Sequence, residues 1–250
     1  MERFRAAFIN EIEKMYKKKK AIVIVIISLI TIIFGQLMVI AIRSGLGIRG
    51  VSSTDFPLLV LSVFVNTILP LFTALVAIDI FTGEFSHNTM KIALTKPISR
   101  LKLFSAKIAA VAFFVLINLL VVMVLSTLTG FIFNPASINA IGLVRIVVSY
   151  LVTVIPIMAL AIIIIFFSNV FRNSTAVFFL SIILFIAFKA LEFVFPQYSS
   201  LFFTSNLGWY NLWISDAMPF MKILRQLLIM LGYGIMFFTA GYYLFDKKDL

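Results

Sequence analysis

Few residues of this chain have the types and spacing that chemistry requires. Asp79 and Glu84 lie close together at the end of an apolar run, and paired carboxylates of this kind can act as a general acid and base. His87, the only histidine, follows them. An intramembrane hydrolase is disfavoured, because the apolar runs offer no convincing acid pair and no Ser/His or Ser/Lys dyad. We instead interpret Asp79 and Glu84 as acids at a membrane surface that face Lys91 or Lys96.

Cofactor and metal chemistry find no support in the sequence either. The chain has no cysteine, which excludes disulfides and thiolate ligands, and one histidine is too few for an HExxH zinc site. A phosphate-binding loop of the GxxxxGK[ST] type is absent, so we expect no ATP hydrolysis by this chain alone. The sequence therefore predicts a non-catalytic protein with no cofactor and no metal.

The elements that carry these residues are predicted membrane spans. Hydrophobic residues make up 62% of the chain, charged residues make up 12%, and the mean hydropathy is +1.14, values far from those of soluble domains. A hydrocarbon core of about 30 Å needs about 20 apolar residues in a helix. The sequence predicts an all-α, polytopic membrane protein with spans near Ala21–Ile42, Leu58–Ile80, Ile108–Gly130, Ile146–Phe167, Ala176–Phe188 and Gln226–Phe245.

The fifth of these six spans is short. Ala176–Phe188 crosses a membrane only if its helix continues through Ala190–Phe195. That extension requires Lys189 and Glu192 to lie near the end of the span and to reach the surface by snorkelling. We therefore expect a longer helix than the apolar run alone indicates.

Basic residues indicate how the spans are oriented, because cytoplasmic loops carry the excess of Lys and Arg. Placing both termini in the cytoplasm puts most of the 21 Lys and Arg residues there. The net charge of +11 then reflects topology and attraction to membrane lipid, and no nucleic acid is expected as a partner. Basic residues before a long first run argue against a cleavable signal peptide. We predict a multi-pass protein of a bacterial plasma membrane.

Residues 1–20 predict an amphipathic helix that precedes the first span. Apolar side chains recur on one face at spacings of four, four and three, and they are Phe4, Phe8, Ile12 and Met15. Charged residues fall on the other face, and the segment ends in the basic run Lys17–Lys20. We expect this helix to lie in the inner membrane interface. It either only anchors the first span or also contacts a cytoplasmic partner.

The remainder, residues 21–250, is predicted to form the transmembrane domain, in which residues 196–222 are the longest outer connection. This segment holds both tryptophans, Trp209 and Trp213, among other aromatic residues. Such composition favours short helices that dip into the outer interface over a free loop. The segment is either an aromatic anchor or an outer lid over a transport path.

Polar residues inside the predicted spans are few and uncharged. Interhelical hydrogen bonding is the default interpretation for them, and a substrate path is the alternative. The candidates for such a path are Gln36, Asn66, Asn118 and Tyr150. Ion-coupled transporters usually carry ionisable relays near mid-membrane, and this chain has none there. Energy for any transport is therefore expected from another polypeptide.

The longest polar interruption between apolar runs is Phe81–Arg100, FTGEFSHNTMKIALTKPISR. Its basic, partly apolar composition predicts a surface that docks a cytoplasmic partner, and Pro97 is typical of a helix boundary. A rigid segment at this place can transmit movement to the spans on both sides. The alternative is that its basic residues only fix topology and bind anionic lipid.

The chain resembles the permease subunit of ABC-2 type transporters over essentially its whole length. The likeness is carried by the N-terminal amphipathic helix, six spans, the terminal FDKKDL and the motif that runs from Glu84 through Thr89-Met90-Lys91 to Leu94-Thr95-Lys96-Pro97-Ile98-Ser99-Arg100. The resemblance implies a type V exporter-like architecture with a cytoplasmic coupling segment at 81–107. It assigns ATPase coupling to Glu84, Phe85, Thr89, Met90, Lys91, Leu94, Lys96, Pro97 and Arg100.

The resemblance also implies partners and a function. The permease would pair with a second permease, of the same or a homologous sequence, and with two cytoplasmic ABC ATPase subunits. We expect export of a hydrophobic or amphipathic substrate, such as a peptide antibiotic, a drug or a lipid. The alternative is a membrane anchor or sensor subunit that holds a cytoplasmic ATPase and transports nothing.

Overall fold

A computed structural model describes residues 2–46, 52–86, 98–134, 139–171 and 173–247. Within these ranges the chain is helical. The helices are α1 (Glu2–Tyr16), α2 (Lys20–Leu46), α3 (Asp55–Asn66), α4 (Ile68–Ser86), α5 (Arg100–Phe133), α6 (Ala140–Val170), α7 (Ser174–Val194), α8 (Tyr210–Trp213) and α9 (Phe220–Asp246). Two 3-10 helices, Pro196–Leu201 and Ser205–Gly208, lie between α7 and α8.

Five of the described helices are long and apolar enough to cross a membrane, namely α2, α5, α6, α7 and α9. The pair α3 and α4 adds a sixth span if its bent helices cross together. Helix α6 is the central element, because 56% of its apolar window is buried, against 22% for α2 and 11% for α7 and for α9. The predicted all-α polytopic fold is confirmed.

The second predicted span is broken where the sequence predicted one continuous run. Helices α3 and α4 meet at Thr67 with a bend of 45°. Pro70 stands in the first turn of α4, where it has no N–H to donate, and its ring would clash with the Asn66 carbonyl in a continuous helix. The break therefore lies where a proline-induced end of α3 is expected.

The short fifth span is extended as its length required. Helix α7 runs for 21 residues to Val194 and so includes Lys189 and Glu192. The two side chains form an ion pair of 3.3 Å one turn apart, Nζ to Oε2. Pairing lowers the cost of carrying both charges close to the end of a span.

The segment after α7 consists of short helices, and it is packed more tightly than an anchor in lipid would be. Trp209 is only 2% exposed, and its ring meets that of Trp213 edge-on at 5.3 Å. Ala159 of α6 and Ile223 of α9 belong to the same apolar cluster. Helix α9 begins at Phe220, earlier than predicted, directly after Pro219. A role as an outer lid stays a prediction.

The turn before α3 passes so close to the carboxyl end of α5 that α5 needs a glycine there. A Cβ atom at Gly130 would lie 2.6 Å from the Ser53 carbonyl oxygen, closer than any carbon–oxygen contact allows. Gly142 meets Thr54 at the same end in a similar way, with 2.6 Å to Cγ2. Small residues at these two points let α5 and α6 approach the start of α3, as is common among membrane helices.

Candidate functional site

The predicted coupling segment lies between α4 and α5. Glu84 and Phe85 belong to the last turn of α4, and Arg100 is the first residue of α5. Six of the assigned residues fall outside the described ranges, and these are Thr89, Met90, Lys91, Leu94, Lys96 and Pro97. Arg100 donates a hydrogen bond to the carbonyl oxygen of Asp246, so α5 begins beside the end of α9.

Helix α1 packs against the first half of α5, close to this segment. Phe8 meets Phe113 edge-on with 6.1 Å between ring centroids, and Tyr16 meets the other side of Phe113 at 6.5 Å. Met15 is 5% exposed, whereas Phe4, Phe8 and Ile12 are partly buried. Burial raises the pKa of the Tyr16 phenol, so this group stays neutral at physiological pH. The predicted apolar stripe therefore contacts protein, and its placement at a membrane interface stays a prediction.

A buried ion pair joins α1 to α5. The Nζ atom of Lys107 lies 3.1 Å from Oε2 of Glu11, and their side chains are 0% and 2% exposed. The same ammonium donates to the Ile80 carbonyl near the end of α4, at 3.2 Å, and lies 5.9 Å from the Phe81 ring centroid. Lys14 holds the other oxygen of Glu11 at 3.1 Å. One lysine thus connects α1, α4 and α5 where the chain enters and leaves the coupling segment.

This ion pair was not predicted from the sequence, although the position of Glu11 along α1 indicated that its side chain would be buried. Glu11 follows Phe8 by three residues and precedes Met15 by four, which places an acid on the apolar face of α1. An acid in that position needs a buried cation, because an unpaired buried charge is very costly. From the sequence, Lys107 was the last residue of the predicted coupling segment 81–107 or one of the basic residues that fix topology. Its partner could not be named, because the two lie 96 residues apart.

A second ion pair and an aromatic cluster strengthen the same end of the bundle. Lys18 lies 3.6 Å from Asp79 of α4, Nζ to Oδ2, while the predicted partners Lys91 and Lys96 fall outside the described residues. Phe104 of α5 meets Phe81 of α4 at 5.4 Å and Phe245 of α9 at 5.3 Å. Helices α1, α4, α5 and α9 are thereby held together at this end.

Three of the four candidates for a substrate path are buried, and the fourth, Asn66, is half-buried. The Tyr150 hydroxyl is buried between α3, α5 and α6, where it donates to the Pro57 carbonyl at 2.9 Å and lies 3.1 Å from Ser126 Oγ. Gln36 accepts from Asn134 at 3.2 Å. Asn118 and Asn66 each donate to a carbonyl of their own helix. These contacts are those of helix packing, and a part in a substrate path stays a prediction for all four.

An apolar crevice of about 260 Å³ opens between α4, α6, α7 and α9. Its walls come from Leu71 of α4, Ile163 of α6, Phe185 of α7 and Met236 of α9, among others. Ser181 and Tyr233 are the polar residues at its wall, and the Tyr233 hydroxyl donates to the Leu201 carbonyl. Such a lining suits an alkyl chain or another apolar group.

The described side chains at these two places are paired charges, aromatic rings and hydrocarbon. In the parts of the chain that the structure describes, no three His, Asp or Glu side chains are grouped so that they could hold a metal ion. Two described acids near the coupling segment have basic partners, Glu11 with Lys107 and Asp79 with Lys18. These charges, together with the aromatic rings, connect α1, α4, α5 and α9 at this end.

Comparison with known proteins places these features in a family. Residues 7–190 match the family model described as ABC-2 family transporter protein. The chain is also 30% identical over 205 residues to the uncharacterized protein YhcI of Bacillus subtilis (strain 168). That match spans 72% of this chain and 64% of the length of the relative. The family match includes α1 from residue 7 onward, the coupling segment and the spans through most of α7.

Proposed function

Since this chain belongs to the ABC-2 family of transporter proteins and is a multi-pass membrane subunit, we propose that it is the permease of an ATP-driven exporter. The permease works with a second copy or a homologous chain, and with two cytoplasmic ABC ATPase subunits. It contributes no catalytic residue, and its substrate is hydrophobic or amphipathic. Both termini lie in the cytoplasm of a bacterial cell.

The observation that carries this proposal is the buried connection between α1, α4 and α5 at Lys107. Along the chain, the predicted coupling segment follows α4, which ends at Ser86, and precedes α5, which begins at Arg100. Because Lys107 contacts both Glu11 and the Ile80 carbonyl, a displacement of that segment moves the three helices together. ATPase closure would thus act on a rigid body, and the permease interface would change as a consequence.

The apolar surfaces support the substrate class. The crevice between α4, α6, α7 and α9 is lined almost entirely by hydrocarbon, so a charged solute would gain nothing from entering it. Helices α2 and α7 also present exposed apolar side chains, such as Phe34 at 61% and Ile183 at 62%. We assign to these two faces, with α4, the path at the interface of the two permeases.

Purification tests the proposed partners. The native chain, extracted in mild detergent, is expected to copurify with an ATP-binding subunit. A Glu84→Ala, Arg100→Ala double variant loses that subunit if the coupling segment docks it. The matched control is Glu13→Ala with Lys17→Ala, which removes one acid and one base from an exposed pair of 3.7 Å on α1. That control should retain the subunit. Loss in both variants, or in neither, contradicts docking at the coupling segment.

ATPase measurements test the transport itself. Addition of an amphipathic substrate to the reconstituted complex should change the rate of ATP hydrolysis, and Pro97→Ala should abolish that change while the chain still inserts. A complex that assembles but whose ATPase rate no amphiphile alters would contradict export. It would instead favour an anchor or sensor subunit.

A further inference from the structure

A polar cavity of about 400 Å³ lies at the end of the bundle opposite α1. It is bounded by the 3-10 segments that follow α7 and by the first two turns of α9. Helix α9 fixes the position of the cavity. The helix begins at the cavity with Phe220, and its other end contacts Arg100 at the start of α5. Polar side chains line it, and those of the segments are Gln197, Ser199, Ser200 and Ser205.

The charged side chains that line this cavity are positive. Lys222 and Arg225 line it one turn apart on α9, and neither forms an ion pair with a described residue. Two other basic residues at this end are paired, Arg145 with Asp216 at 2.6 Å and Lys189 with Glu192 at 3.3 Å. The first turn of α9 adds the positive end of a helix dipole.

Two buried polar groups at the cavity also lack partners. The indole N–H of Trp209 donates to no described acceptor, although Trp209 is 2% exposed. Gln226 is 7% exposed, and its side-chain oxygen, an acceptor, is without a hydrogen bond in the described chain. Amide oxygen and nitrogen exchange places when the amide turns by 180°, which would put an N–H group of Gln226 at that position, whereas an indole N–H can only donate. A buried donor without a partner is rare, so the Trp209 N–H calls for an acceptor.

We propose that this cavity binds a phosphate group, with Lys222 and Arg225 as its charge partners, Trp209 as a neutral donor, and Gln226 as a second donor once its amide has turned. Phosphate oxygens accept several hydrogen bonds at once, which matches a site of two cations and a buried donor without a partner. A phosphate ester of an anionic lipid and a free phosphate share this chemistry. The crevice wall at Tyr233 lies two turns along α9 from Gln226, about 10 Å, within the reach of an acyl chain.

Intrinsic fluorescence measures binding here directly, because both tryptophans of the chain lie in this segment. The purified full chain in neutral detergent is titrated with dihexanoyl phosphatidylglycerol, with dihexanoyl phosphatidylcholine, and with inorganic phosphate. We expect a saturable change with phosphatidylglycerol that phosphatidylcholine does not produce. A response to inorganic phosphate at similar concentration identifies a soluble anion as the source, and a response to the lipid alone identifies a headgroup.

Variants locate the site. Lys222→Gln with Arg225→Gln should weaken the response roughly 30-fold, as two basic residues near a phosphate would. The matched control, Arg145→Gln with Lys189→Gln, removes two paired charges at the same end and should bind within about twofold of the native chain. If the first double variant does not elute as the folded protein, Lys222→Gln alone replaces it, because that side chain is exposed, with an expected loss of about fivefold.

Three outcomes would overturn the proposal. The first is equal binding by the native chain and the Lys222, Arg225 variant. The second is an equal response to phosphatidylcholine and phosphatidylglycerol, which would mean that the tryptophans sense detergent or acyl chains only. The third is no response to phosphatidylglycerol or to inorganic phosphate.

Discussion

Replacing Glu11 with glutamine removes the charge that faces Lys107 and keeps the shape of the side chain. Lys107 stays 0% exposed and keeps its contact with the Ile80 carbonyl, but its ammonium loses the carboxylate at 3.1 Å. We predict that α1 then detaches from α5 far more often than in the native protein. The Phe8 and Phe113 rings alone cannot compensate for a buried charge that has lost its partner.

The magnitude follows from the distance and the burial. Two unit charges 3.1 Å apart attract by about 5 kcal/mol at an effective dielectric constant of about 20. Part of that attraction offsets the cost of burying both ions, and breaking one partner of a buried pair costs about 3–5 kcal/mol. The lower figure corresponds to a roughly 100-fold rise in the population of the detached state.

Hydrogen exchange of the α1 amides measures this detachment. A helix of 15 residues is marginal in isolation, so protection of α1 depends on its docking. In Glu11→Gln we expect exchange roughly 100-fold faster across the peptide that covers α1, with little change in α6. The matched control is Glu13→Gln, an exposed acid on the same helix, whose exchange should differ by about twofold at most.

A double variant distinguishes the loss of the Glu11–Lys107 ion pair from other effects of the Glu11→Gln substitution. Glu11→Gln combined with Lys107→Met removes both charges, and replacement of a buried ion pair by apolar groups is often neutral. We expect exchange in the double variant to return most of the way to the native rate, with a coupling energy of at least about 2 kcal/mol. Native-like exchange in Glu11→Gln alone, or additive effects in the double variant, would refute the reasoning.

Two further substitutions test the packing of the spans, with the free energy of unfolding in SDS as the measurement. Gly130→Ala should destabilise the bundle by about 1–3 kcal/mol, because the new Cβ atom would collide with a backbone carbonyl. Its control is Gly232→Ala, where a Cβ atom would meet nothing within 4 Å. That change should be neutral or should stabilise α9 by up to about 1 kcal/mol. Tyr150→Phe should cost about 1–3 kcal/mol because it removes two buried hydrogen bonds, to the Pro57 carbonyl and to Ser126 Oγ, while the same change at the exposed Tyr243 should have little effect. Equal losses within either pair of variants would contradict the contacts on which it depends.

Several features of the fold could be predicted because they depend on local composition. Apolar runs of about 20 residues identify membrane helices whatever their neighbours are, and this predicted α2, α5, α6 and α9. The extension of α7 was predictable from length alone, since its apolar core was too short to cross. The break before α4 was only half predictable. Pro70 indicated a bend, but a bend and an end of the helix look alike in sequence.

Properties that depend on distant residues required the tertiary structure. The sequence by itself determined that this chain spans a membrane several times and that its polar segment lies between the second and third spans, because both follow from hydropathy along the chain. Only the structure paired Glu11 with Lys107 and showed no acid of the described chain beside Lys222 or Arg225. A charge reads the same in sequence whether it is buried or exposed. Its partner is decided by which helix faces meet, and those faces meet only once the bundle has packed.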